Sequence, residues 1–187
     1  MKRKQSSNIK EGAVMRKSTL FVLAVTFSWL MGAHIIWAQP KGNDKEHAEL
    51  AKELKGVKTS LEKGLAASES QGKPISGKFE VEDGKLQLSV YTMKGDKFSE
   101  VIIDHKTGKV AKTEAITGGK DLTAAKAQSE AMAKTKLSLR GATEKAVKEN
   151  KGFRAVSAMP SLKDGHPVAE ITLVKGEEFK TAAEKLD

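Results

Sequence analysis

One internal match constrains this chain more than any other feature. Residues 83–98, DGKLQLSVYTMKGDKF, align without a gap on residues 164–179, DGHPVAEITLVKGEEF. Five of sixteen positions are identical: Asp83/Asp164, Gly84/Gly165, Lys94/Lys175, Gly95/Gly176 and Phe98/Phe179. Similar residues occupy others, among them Val90/Ile171, Met93/Val174 and Asp96/Glu177. The shared glycines fall where alternating segments must turn. The match therefore reads as a tandem duplication whose period carries Asp83 onto Asp164.

Around this match the pattern predicts sheet. Ile75, Gly77, Phe79 and Val81 alternate with Ser76, Lys78, Glu80 and Glu82, as a half-buried strand requires. Asp83-Gly84 is a hairpin corner that tolerates positive φ. Leu86, Leu88, Val90 and Thr92 then form one face of a second strand, Lys94-Gly95 turns the chain again, and residues 98–104 return as a third. The run DHKTGK at 104–109 is a further turn leading to a short edge at Val110, with the Asp104 side chain expected to bond turn backbone near Thr107 and Gly108.

Helices precede each meander. Leu50, Leu54, Val57, Leu61 and Leu65 lie on one face of a helix expected over 44–70 and broken near Gly56. Asn43 with Glu46 and Thr59 with Glu62 offer caps. In the second copy Asp121 is expected to cap an alanine-rich helix over 122–134, and Ser138-Leu139, paralleling Ser60-Leu61, begins another that runs to Asn150. Residues 153–159, 167–174 and 177–184 complete the second meander; the last has a helical composition and is placed as a strand by the alignment of Phe179 on Phe98. The expected class is α+β, each repeat a helix packed on a three- to four-stranded antiparallel meander. The organisation is residues 1–38 as a signal peptide or N-terminal anchor, 39–43 linker, 44–111 repeat one, 112–121 linker, and 122–187 repeat two with an extra N-terminal helix.

The chain has no cysteine, which excludes disulfides, thiolate metal sites and cysteine nucleophiles. Residues 18–38 contain no Asp, Glu, Lys or Arg, follow Arg16-Lys17 and end on Ile36-Trp37-Ala38. A basic start, an apolar run and a small final residue make a secretory signal, with Met15 an alternative start. An uncleaved anchor competes, because the whole run from Ser18 to Ala38 is just long enough to span a bilayer. Either reading places the remainder outside the cytoplasm, in the periplasm or beyond it. Of the net charge of +9, the first 38 residues hold +5, six basic residues against Glu11. The remaining +4 is spread over an evenly mixed surface, without the basic stripe and interleaved aromatics of a nucleic-acid binder.

No catalytic constellation stands out. His34, His47, His105 and His166 are scattered without metal-ligand spacing, and Gly118-Gly119-Lys120 lacks the Ser/Thr and the earlier glycine of a phosphate loop. Glu80, Glu82 and Asp83 read as an outward strand face entering a turn, with a weak calcium site as the alternative. The sequence therefore predicts no catalytic residue, no metal site and no cofactor. One surface exceeds this bland reading. Tyr91, Met93, Val101 and Ile103 are expected together on the face opposite Leu86, Leu88 and Val90, an apolar patch suited to docking a partner or to packing against repeat two or its alanine-rich helix.

The order helix, strand, Asp-Gly turn, strand, Lys-Gly turn, strand resembles the PepSY domain, through SLEKGLAA at 60–67, GKFEVEDGKLQLSVYTMKGDKF at 77–98 and VIIDHKTGKV at 101–110. The second copy departs from the pattern, lacking the D-x-x-TG-K ending. The resemblance implies a cystatin-like fold, one helix on a curved antiparallel sheet, in an exported bacterial protein. It also implies a non-enzymatic role in binding or inhibiting an extracytoplasmic peptidase. The alternative is a sensor or carrier that holds a small ligand or metal between the repeats.

Overall fold

The chain supplies its helices in pairs and its strands as hairpins. Helices α1 (Asp44–Glu53) and α2 (Leu61–Ser68) lead into β1 (Lys73–Glu82), β2 (Lys85–Lys94), β3 (Lys97–Ile103) and β4 (Val110–Ile116). Helices α3 (Gly119–Ala133) and α4 (Leu139–Glu149) lead into β5 (Arg154–Lys163), β6 (His166–Lys175) and β7 (Glu178–Lys185). These elements belong to residues 44–187, which the computed structural model describes. The expected signal or anchor at 18–38, the linker at 39–43 and the Asn43 cap fall outside the described residues.

Corner chemistry sets the strands. Asp83 and Gly84 take φ of 49° and 71°, and Asp164 and Gly165 take 52° and 82°. Two consecutive positive φ values close a two-residue hairpin whose twist matches that of its strands. Strands β1, β2 and β3 begin at 73, 85 and 97, and β5, β6 and β7 at 154, 166 and 178, the same offset that separates Asp83 from Asp164. Even the β-bulge recurs at that spacing, between Pro74 and Ser76 in β1 and between Ala155 and Ser157 in β5.

Among the described residues the strands form one seven-stranded antiparallel sheet in the order β4-β3-β2-β1-β5-β6-β7. The two meanders thus join side by side through their first strands. The join is narrow, with only Gly77 opposite Ala158 and Lys78 opposite Ser157. A bulge interrupts each strand near the seam, and Pro160 has no N–H to offer a neighbour. Gly77 and Ala158 are separated by the same offset as Asp83 and Asp164, so the seam falls where the matched spacings of the two meanders meet.

One sheet face, the front, holds the core. The opposed sets Phe79–Leu88–Ile103 and Gly77–Val90–Val101 point to it together. Helix α2 sits closely there because both surfaces are small at the contact. A Cβ on Gly77 would lie 3.1 Å from Leu65 Cδ2, and one on Gly64 would lie 2.6 Å from Leu88 Cδ2. Helix α4 packs beside α2 on the same face, where Lys145 Nζ donates to Glu184 of β7 at 2.6 Å. Leu61, Leu65, Leu88, Val90, Ile171 and Leu173 are fully buried between these layers, each large side chain contributing about 1.5–3 kcal/mol.

The back face is covered in part by the other two helices. Helix α3 straddles the seam over β1, β2, β5 and β6, with Gln128 Nε2 donating to Met159 Sδ at 3.7 Å. Helix α1 runs against β1 and stacks His47 on Phe179 of β7, ring centres 4.1 Å apart. As α1 precedes α2, so α3 precedes α4, and the alanine-rich helix holds the same place in the element order as α1.

Local expectations fare unevenly. The helix expected over 44–70 does break, with a 3-10 turn at Leu54–Gly56 ahead of α2. Ser60, not Thr59, caps α2 by accepting from Lys63 N–H, and Ser138 caps α4 through Gly141 N–H, so the predicted Ser60/Ser138 parallel holds. Thr59 is instead buried beneath the turn at Gly108. Helix α3 starts at Gly119 with Gly118 as its N-cap, ahead of the predicted Asp121 cap. Residues 112–121, expected as linker, are β4 and the first turn of α3. The terminal segment is β7, a strand as the alignment placed it.

Candidate binding surfaces on the back of the sheet

The four patch residues do not share a face. Lys94 pairs with Lys97 across the Gly95-Asp96 corner, so odd-numbered residues of β2 oppose even-numbered residues of β3. Tyr91 stands opposite Glu100 and Met93 opposite Phe98 on the back, whereas Val90 opposes Val101 and Leu88 opposes Ile103 on the front. Val101 and Ile103 are accordingly buried beneath α2, at 0% and 1% exposure. The expected patch treated equal parity as equal face, and the two-residue corner reverses that relation. The apolar row on the back is Met93–Phe98–Ile116, all half-buried; Ile102, also half-buried, is separated from it by the polar set Tyr91–Glu100–Glu114. The row lies to the side of the strands on which α3 chiefly packs, β5, β1, β6 and β2, and its side chains rest against the core.

Inboard of that row the back face is polar. Tyr91 donates its phenolic O–H to Asp121 Oδ1 at 2.9 Å and so pins the first turn of α3. Burial, followed by the bond to this carboxylate, pushes the Tyr91 phenol above its usual pKa. Gln87 Nε2 donates to Ser89 Oγ at 2.8 Å and to Glu100 Oε1 at 3.4 Å. Burial also raises the pKa of Glu100, with Ser89 opposing the shift and the carboxylates of Glu80, Glu82 and Asp121 adding to it.

Two grooves meet at Lys78. The smaller, about 200 Å³, lies beneath α3 among Ser76, Ser89, Tyr91, Asp121, Gln128 and Met159. Gln128 Oε1 is buried there without a hydrogen-bond partner. The larger, about 460 Å³, runs between α1 and the back of the seam, with Glu46, His47 and Glu49 on the helix and Glu80, Ser157 and Thr172 on the strands. Lys78 forms an ion pair with Glu80, so this part of the acidic run entering the Asp83 corner is already neutralised. The lining offers hydrogen-bond donors and acceptors of both charge signs beside apolar side chains such as Leu50, Val156 and Met159, a combination suited to binding.

The described histidines are not brought together. His47 stacks on Phe179, His166 Nδ1 is 2.9 Å from Asp187 Oδ2, and the His105 carbonyl accepts from Lys58 and Thr59 N–H. No cluster of three or more His, Asp or Glu suited to a metal ion occurs among the described residues. Asp104 acts as the turn required: its Oδ1 accepts from Lys106 and Thr107 N–H at 2.9 and 2.8 Å, which holds its carboxyl below the usual range. Among the described residues no helix is long and apolar enough to cross a membrane. Comparison with known proteins yields no matching family model, no matching curated protein and no matching solved structure.

Proposed function

We propose that this chain is an exported, non-enzymatic binding module of the PepSY type, which binds and regulates a cell-envelope or secreted peptidase through the back of its first meander. The observation that carries the reading is the half-buried row Met93–Phe98–Ile116, set to the side of the strands on which α3 chiefly packs, with Ile102 beyond the polar set Tyr91–Glu100–Glu114. Apolar side chains on paired strands, interleaved with Tyr91, Glu100, Lys112 and Glu114, present the mixed apolar and polar character of a protein interface. The cystatin-like description fits each half in one respect, a single helix, α2 or α4, lying on the front of an antiparallel meander. The class of partner comes from the resemblance of residues 60–67, 77–98 and 101–110 to PepSY domains.

The test adds the purified chain to a thermolysin-type metallopeptidase. Casein hydrolysis should fall in proportion to added chain, and Ile102→Asp and Phe98→Ser should abolish the effect while keeping the wild-type circular dichroism spectrum. Unchanged hydrolysis at a large excess of chain refutes this partner class.

The grooves meeting at Lys78 favour a second reading, a carrier or sensor that holds a small ligand between the halves, because Gln128 Oε1 is left there without a partner. Such a ligand raises the melting temperature of the chain and leaves peptidases untouched. Stabilisation by a compound that Lys78→Ala abolishes, without any effect on peptidases, selects this reading over the first.

A further inference from the structure

The sheet has two outer strands, and β7 is tied into the fold along its length whereas β4 packs on the core through its end residues Val110 and Ile116. On β7, Glu184 is buried and holds Lys145 at 2.6 Å, Lys180 Nζ lies 3.9 Å from the centre of the Phe153 ring, and Leu186 N–H just beyond donates to Pro167 O. On β4, Ala111, Lys112, Thr113, Glu114 and Ala115 are all exposed. Among the described residues Lys112 and Glu114 pair with each other, at 2.8 Å, and the Thr113 hydroxyl reaches the Gln71 amide oxygen, at 3.4 Å. Because β4 is the last strand, one row of its backbone N–H and C=O groups points away from the sheet.

The residues on this edge are their own complement. The strand reads Val-Ala-Lys-Thr-Glu-Ala-Ile from 110 to 116. If a second copy runs antiparallel with Thr113 opposite Thr113, Lys112 faces Glu114 twice, inside the stretch 112–116 that pairs regularly with β3; Ala111, skipped in that pairing, marks a bulge at its border. A slip that centres the axis on residue 112 sets Lys against Lys, and one centred on residue 114 sets Glu against Glu. Directly opposed unlike charges favour a strand pairing and like charges oppose it, so the sequence discriminates among registers. We propose that β4 is a self-recognition edge through which two copies join antiparallel about Thr113, making one continuous sheet across the pair. The pairing also sets the back faces of the two first meanders side by side.

The absence of cysteine allows a direct test on the full chain. Single-cysteine variants Thr113→Cys on β4 and Thr181→Cys on β7 are oxidised with copper phenanthroline and run on non-reducing gels. Thr113→Cys should give a disulfide dimer several-fold more abundant than Thr181→Cys. Adding Lys112→Glu or Glu114→Lys to Thr113→Cys should reduce the dimer several-fold, and mixing those two charge variants should restore it. Equal cross-linking at 113 and 181, or a yield indifferent to the charge changes, overturns the proposal. Neither outcome bears on peptidase inhibition, which is read with Ile102→Asp and Phe98→Ser.

Discussion

Gly64→Ala sets two effects against each other on α2. Alanine is the better helix former, by about 1 kcal/mol in a helix interior. The added Cβ, however, would lie 2.6 Å from Leu88 Cδ2 and 3.3 Å from Leu88 Cγ. Leu88 is fully buried between Phe79 and Ile103 and cannot swing into solvent. Overpacking a filled core costs about 1–3 kcal/mol. The clash should therefore win, leaving a net loss of about 1 kcal/mol and a melting temperature lower by about 2–4 °C for a chain of this size. Leu88→Ala alone should cost about 2–5 kcal/mol through the cavity it opens. Combined, the two substitutions relieve each other, since the new methyl occupies part of the space that Leu88 vacates. A double-mutant cycle from urea melts followed by circular dichroism should show favourable coupling of about 1 kcal/mol or more. If Gly64→Ala stabilises the protein by the full propensity term, or if the two losses simply add, α2 does not press on the sheet at this point.

The back face gives two further predictions. Tyr91→Phe removes the bond to Asp121 and should cost about 0.5–1.5 kcal/mol. Hydrogen exchange should show faster opening of the first turn of α3 with α4 unchanged, and equal opening of both would show that the phenol pins nothing. Glu100 has a folded pKa raised chiefly by burial, so its charged form is disfavoured in the native state and stability declines as pH rises through that pKa. Glu100→Gln should accordingly raise the melting temperature at neutral pH, with the gain disappearing below about pH 4, where the carboxyl is protonated in both states. A gain that persists at low pH would assign the effect to something other than charge.

Much of the sheet was legible because alternation and corner chemistry constrain each other. Once Asp83-Gly84 and Gly95-Asp96 are two-residue corners, the pairing of β1, β2 and β3 follows, and the duplication carries it to β5, β6 and β7. That same information places Val101 and Ile103 on the front, so counting register through the Lys94–Lys97 pair would have corrected the patch. β4 escaped for a different reason. An edge strand wetted on both faces needs no alternation, and Lys112-Thr113-Glu114 reads as linker until β3 pairs with it. Asp121 failed as a cap because its carboxylate accepts from Tyr91, a partner far back in the chain and outside the reach of any local pattern. The seam was equally hidden, since nothing local tells Gly77 that it will face Ala158.

The seam also explains why the chain needs both halves. Two Cα pairs between β1 and β5 are too few to hold two meanders together, so the cohesion must come from elsewhere. Arg154, the first residue of β5, donates Nη2 to Thr59 O just ahead of α2 at 3.0 Å and lies over the Phe79 ring. Lys73, the first residue of β1 and its counterpart in the first copy, donates Nζ to Met132 O near the end of α3 at 2.9 Å. Each first strand is thus fastened to the other half by a long cation reaching a backbone carbonyl. The back helices repeat the exchange, with Asp121 of α3 on Tyr91 and His47 of α1 on Phe179. What a single copy could not build is the space enclosed by these crossings. Small and polar residues on the back of the seam, Ser76, Lys78 and Ser157, keep α1 and α3 from closing on the sheet as α2 and α4 do in front. The joining of two meanders thereby makes the centre of the back face a walled groove with contributions from both halves.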